Sequence, residues 1–163
     1  MASDQSQIKA LWRKILQGRG HRMTEGREVV AGVLARAAMG EHLSAEDIFL
    51  KAHGENPSIG LTSVYRTLDL LVHLGLIHKF DFGDGRARYE MAEGSRVGKH
   101  HHHLVCTGCS TIVDYDDFID EELKLLKKTE EGLSLKFGFK ITGHIVQFHG
   151  LCSQCSASER EHA

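Results

Sequence analysis

The sequence has no run of about 18 apolar residues and no apolar stretch behind a basic start, so neither a membrane span nor export is expected. The cytoplasm is the default compartment. HExxH, the nucleophile elbow and the phosphate-binding loop are all missing, which removes the common signatures of hydrolases and nucleotide enzymes. Strong net charge is missing too: a formal −2 argues, as an average, against a polyanion-binding surface. What remains is an ordinary globular composition, 41% hydrophobic and 26% charged, over 163 residues, enough for one domain or two small ones.

The average charge conceals a gradient. Residues 1–40 hold Lys9, Arg13, Lys14, Arg19, Arg22, Arg27 and Arg36 against Asp4, Glu25 and Glu28, whereas beyond residue 104 acids outnumber bases. A basic front and an acidic, histidine-rich back suit one lobe that meets a polyanion and another that meets cations.

The front reads as helices followed by a hairpin. Ile8, Leu11, Trp12, Ile15 and Leu16 recur at helical spacing over about 5–17. Thr24 is placed to cap a second helix with Val29 or Val30, Val33, Leu34 and Ala37 inside, stopping near Gly40. Ser44-Ala-Glu-Asp47 has capping-box form and opens a third helix that Pro57 cannot continue. The fourth, about 62–74, buries Val64, Leu68, Leu71 and Val72 and leaves Ser63, Tyr65 and Arg66 on its exposed first turn. IHKFDF (77–82), a Gly-Asp-Gly turn and RARYEM (86–91) make a β-hairpin. That order describes a winged helix-turn-helix, in which arginine on the recognition helix reaches guanine and tyrosine reaches a thymine methyl or a phosphate.

The back carries four cysteines, all in two CxxC pairs, Cys106/Cys109 and Cys152/Cys155. In a reducing compartment such pairs point to metal, and four thiolates make a closed tetrahedral zinc site with no open position, a structural staple. Directly before the first pair stand His100, His101, His102 and His103. In a strand alternate side chains face opposite ways, so this run can feed two separate sites. Glu90, Asp114, Glu121 on a helix of about 117–131, and His144 in the strand-like stretch KITGHIVQFHG (140–150) are further donors, a mixed nitrogen and oxygen set suited to Fe(II), Mn(II), Co(II) or Zn(II).

From about His21 to Cys155 the order of these motifs resembles the ferric uptake regulator family: HLSAEDIF (42–49), IGLTSVYRTLDLL (59–71), YE (89–90), HHHHLVCTGC (100–109), GHIVQFHGLC (143–152) and the closing CxxC. The resemblance implies an α+β protein, with a winged-helix DNA-binding domain over 1–91, a hinge at about 92–99 and an α/β dimerisation domain over 100–163. It also implies a homodimer, with tetramers left open, that represses transcription from an A·T-rich inverted repeat when metal is bound. It places structural zinc on Cys106, Cys109, Cys152 and Cys155, and a hinge-spanning regulatory metal on His42, Glu90, His101, His103 and Asp114. A further site falls on His100, His102, Glu121 and His144, with His102 where relatives commonly have Asp. Gly26 departs from the family pattern as well, but Arg22 and Arg27 remain as phosphate or minor-groove contacts.

With no cysteine outside the two pairs, a regulatory thiolate of the zinc-sensing kind has no residue to supply it. Glu90 resembles the iron-sensing branch of the family, so the resemblance implies Fe(II) as the regulatory metal, with Mn(II) or Zn(II) behind it; Asp114 is also found at that place in the family's peroxide sensors, which makes peroxide sensing the second reading. From another class, a zinc hydrolase or a metal-storage module would use the donors but not the recognition helix.

Overall fold

The computed structural model describes residues 2–37, 41–83, 85–92 and 100–161. The chain separates into two compact units, Met1–Gly98 and Lys99–Ala163. Residues 93–99 of the expected hinge lie outside the described residues, as do Gly40, the expected stop of the second helix, and Asp84 in the hairpin turn.

The first unit opens with α1 (Ala2–Gly18) and α2 (Glu25–Arg36). On α1, Trp12 and Leu16 are fully buried, while Leu11, one position off that face, stays exposed. Thr24 caps α2 by accepting from the Arg27 backbone N–H at 3.4 Å, and Val30, Val33 and Leu34 point inward. Strand β1 (Leu43–Ser44) runs directly into α3 (Ala45–Glu55) through the capping box: the Asp47 N–H donates to Ser44 Oγ at 3.1 Å and the Ser44 N–H to Asp47 Oδ2 at 3.0 Å. The Ser44 hydroxyl also holds the Asp47 carboxyl below its ordinary value.

After the turn at Asn56–Ile59 comes α4 (Leu61–His73), with Val64, Thr67, Leu68 and Leu71 in the core. It ends in a Schellman arrangement: the Leu76 N–H bonds Leu71 O at 2.9 Å, the Gly75 N–H bonds Val72 O at 2.9 Å, and Gly75 has φ +68. The chain thereby reverses into β2 (Ile77–Asp81) and β3 (Ala87–Met91), an antiparallel pair, and β1 joins on the other side of β3 in the order β1-β3-β2. Four helices packed against a small sheet make the winged helix-turn-helix unit, its core including Trp12, Leu34, Ile48, Leu68 and Tyr89.

The second unit is a three-stranded sheet with two helices. β4 (His102–Cys106) pairs antiparallel with β5 (Ile112–Tyr115) and parallel with β6 (Gln147–Gly150), in the order β5-β4-β6. Helix α5 (Ile119–Phe137) outruns the expected 117–131, and α6 (Ser153–Glu161) carries the second cysteine pair's last member. Of the stretch 140–150 expected as strand, only Gln147–Gly150 pairs. Leu104, Val113 and Phe148 are opposite one another in register and stand 45%, 49% and 51% exposed, an apolar row across one face of the sheet.

Candidate metal centres and nucleic-acid interface

The four cysteines come together at one end of the second unit's sheet. Cys106 ends β4, Cys109 closes the turn that follows, Cys152 comes just after β6 and Cys155 lies in α6. The parallel pairing of β4 with β6 brings the two knuckles alongside, sealed by the Thr107 N–H bonding Gly150 O at 2.8 Å. All four Sγ atoms lie within 4.8 Å of one another as free thiols, and Cys109 and Cys152 are 3.8 Å apart. Zinc–sulfur bonds of about 2.3 Å in a tetrahedron set sulfurs about 3.8 Å apart, so the donor set fits zinc. Gly108 is part of the fit: a Cβ there would come within 2.9 Å of Cys155 Sγ.

The electrostatics point the same way. Backbone N–H groups, that of Cys152 first at 3.2 Å, bring the Cys106 thiol down to about 6. Its neighbouring sulfurs push Cys155 up to about 12. One thiolate forms readily and opposes the last, so four coexist only around a cation.

The histidine run divides as strand alternation requires. On one side, the rings of His101 and His103 are 5.2 Å apart and both face Asp114, at 3.6 and 3.7 Å. Asp114 is there because it is the β5 partner of His103 in register. In the first unit, register does the same for another pair. Leu43 is opposite Tyr89, so His42 is brought to Glu90, 3.4 Å away. Each unit thus holds part of the expected regulatory set.

On the other side of β4, the Nε2 atoms of His100 and His102 are 2.9 Å apart and those of His100 and His144 are 3.2 Å apart. Glu121, expected as the fourth ligand, is outside this group and exposed on α5. Glu122 takes the inward position instead. Ile119 is buried at the start of α5, and the residue three further on shares its face, whereas Glu121 is turned about 100° from Glu122. The Glu122 carboxylate contacts His102 Nδ1 and accepts from Tyr115 Oη at 3.0 Å, and Glu130 contacts His144 Nδ1 at 2.8 Å. Burial holds His102 below the ordinary histidine value despite Glu122, and burial together with Glu122 takes Tyr115 up to about 12.

In the first unit, Ser63 and Arg66 of α4 line an open cleft with Thr24, Arg27, Asn56 and Ser58. Arg27 reaches back to the Arg22 carbonyl oxygen. Tyr65 is exposed and donates to Glu46 Oε1 at 2.6 Å, which lowers the Glu46 carboxyl and raises the tyrosine.

Residues 18–149 match the model of the ferric uptake regulator family. The chain belongs to that family. The ferric uptake regulation protein of Bacillus subtilis (strain 168) is 40% identical over 149 residues, 91% of this chain and 95% of that one. A solved structure of the Helicobacter pylori ferric uptake regulator, described as revealing three functional metal binding sites, superimposes with a TM-score of 0.70 at 26% identity and covers 93% of each chain. A Campylobacter jejuni peroxide stress regulator gives 0.62 at 26% identity, covering 80% of this chain and 91% of its own.

In this family member four contributors were not among the expected site residues. Glu122, Glu130 and Tyr115 line the histidine cluster, and Glu46 holds Tyr65. Glu122 was legible only once Ile119 was known to start its helix, and Glu130 meets His144 across 14 residues that carry no spacing signal.

Proposed function

We propose that the protein is a metal-responsive transcriptional regulator that binds an A·T-rich inverted repeat as a homodimer and represses metal-homeostasis genes when its regulatory site holds Fe(II). The observation that carries this reading is the division of the donors: His42 and Glu90 stand in the winged-helix unit, and His101, His103 and Asp114 in the other. Three imidazoles and two carboxylates suit Fe(II) or Mn(II). Five residues that must all reach one ion favour only the arrangement of the two units in which they can do so. Ligation thereby raises DNA affinity by selecting that arrangement.

On the DNA side, Arg66 reads a guanine edge, Tyr65 and Ser63 contact a thymine methyl or the backbone, and Arg22 and Arg27 hold phosphates or the minor groove. Dimerisation falls to the second unit, where Leu104, Val113 and Phe148 form an apolar row that a second copy would cover. Cys106, Cys109, Cys152 and Cys155 hold structural zinc, which supplies folding energy and no chemistry. Among the described residues no helix is long and apolar enough to cross a membrane, in keeping with work in the cytoplasm. Peroxide sensing is the second reading, favoured by Asp114 beside His101 and His103 and by the fold shared with a peroxide stress regulator.

Paired variants test the reading. His101→Ala is expected to abolish metal-activated binding to operator DNA while keeping the zinc of the cysteine site. Arg66→Ala is expected to weaken specific binding by roughly 1–3 kcal/mol with metal uptake unchanged. Metal-activated binding by His101→Ala at the wild-type level would overturn the regulatory assignment.

A further inference from the structure

A carboxylate stands against the reading residues of α4. The capping box that starts α3 is closed by Ser44 and Asp47, so Glu46 takes no part in it and stands exposed in the first turn. The helix dipole accounts for an acid at that position, but not for what its side chain holds. Tyr65, near the start of α4 and 39% exposed, donates its hydroxyl proton to Glu46 Oε1 at 2.6 Å. That bond is the largest influence lowering the Glu46 carboxyl, and Arg86, one residue ahead of β3, adds to it electrostatically. Glu46 in turn raises the tyrosine, so the proton stays on the phenol.

We propose that Glu46 is a specificity-determining positioning residue, which by engaging the Tyr65 hydroxyl proton bars that tyrosine from phosphates and leaves it to read a base edge.

A phenol has one proton to donate, and phosphate oxygens only accept. With that proton engaged by Glu46, Tyr65 offers DNA its ring and the remaining lone pairs of its oxygen. The ring suits a thymine methyl, and the lone pairs suit the exocyclic amino group of adenine or cytosine; neither suits the backbone. Phosphate contacts are the same on every sequence and base contacts are not. Removing the phosphate option from Tyr65 therefore weakens binding to wrong sequences more than to the right one. The charge of the carboxylate also repels any phosphate brought to the same place. Glu46 thereby lowers affinity in general and raises discrimination.

The inference rests on the DNA-binding reading above, and its test separates the two. The full-length, zinc-stapled, Mn(II)-loaded dimer is used to select a duplex from a randomised pool. Fluorescence anisotropy then gives its affinity for that duplex and for a scrambled duplex of the same composition. Glu46→Ala is expected to tighten binding to the scrambled duplex by about tenfold, the low end for a hydrogen bond to a charged group. The gain on the selected duplex should be smaller, so the ratio of the two affinities falls. Adding Tyr65→Phe, which removes the released hydroxyl, should restore the ratio. Glu46→Gln, which keeps an acceptor within reach of that hydroxyl, should raise both affinities alike and leave the ratio as in the parent. Unchanged metal content and Trp12 fluorescence verify that each variant is folded. An unchanged ratio in Glu46→Ala, a fall that Tyr65→Phe does not reverse, or an equal fall in Glu46→Gln would overturn the inference and leave the DNA-binding reading in place. A parent that selects no sequence would overturn both.

Discussion

In the first unit Trp12, Leu34, Ile48, Val64, Leu68 and Tyr89 close over one another, whereas the buried described residues of the second are only His102, His103, Val105, Cys106 and Ile119. A fully buried leucine or isoleucine contributes roughly 1.5–3 kcal/mol, so the first unit has the apolar burial to fold by itself. The second is a short chain segment whose interior is largely histidine and cysteine, and whose leucines and phenylalanines, among them Leu104, Leu133, Phe137 and Phe148, face outward. Small units of that kind depend on metals or on association. One unit is therefore built to be a constant reader of DNA, and the other to have a shape that depends on its ions and its partner.

The contrast breaks most visibly at the cysteines. Cys106→Ser is expected to lose zinc and unfold the second unit, because ligation in a closed site is folding energy on the order of 10 kcal/mol. The single tryptophan, Trp12, sits in the first unit's core and gives a separate signal. Its fluorescence should stay native while far-ultraviolet dichroism and metal content fall. A zinc-free, fully helical Cys106→Ser protein would contradict the staple.

A smaller effect sharpens the role of the outward face. Leu104→Glu introduces charge into the apolar row and is expected to weaken dimerisation on the order of 100-fold, as changes at an interface centre do. Sedimentation velocity would report monomer with zinc still bound. An unchanged dimer would place the interface elsewhere.

The smallest expected effect lies in the first unit, at the capping box. Asp47→Asn should cost about 1 kcal/mol at neutral pH, the usual value of such a cap. Because the folded carboxyl is held below its ordinary 3.8, its contribution is present above that pH and is lost as pH falls through the folded value. Denaturation followed at Trp12 should show the two proteins converging in acid, and a constant gap would mean the charge is irrelevant there.

Much of the molecule was legible in the sequence because the signals were local. Thr24 and Ser44 announced helix starts through side chains that bond backbone two or three residues on, the Gly-Asp-Gly turn announced the hairpin, and the CxxC pairs announced their own convergence. What escaped depended on distant pairing. The two residues of β1 form a strand only because Tyr89 and Arg88 lie opposite them. Residues 140–146 alternate like a strand, but contact with β4 begins only where the Val146 carbonyl oxygen accepts from the His103 N–H at 3.3 Å, and α6 is a polar helix with no apolar stripe to betray it. Glu121 and Glu122 differ by one position, and only the true start of α5 decides which faces the histidines.

The central claim is that occupation of a site divided between the units switches on DNA binding. Fluorescence anisotropy of an A·T-rich inverted-repeat duplex, titrated anaerobically with the zinc-stapled dimer, tests it directly. Binding is expected only when Fe(II), or Mn(II) in its place, is added, and to be reversed by chelating that metal alone. Equal binding without added metal, or none with any metal, would contradict the account.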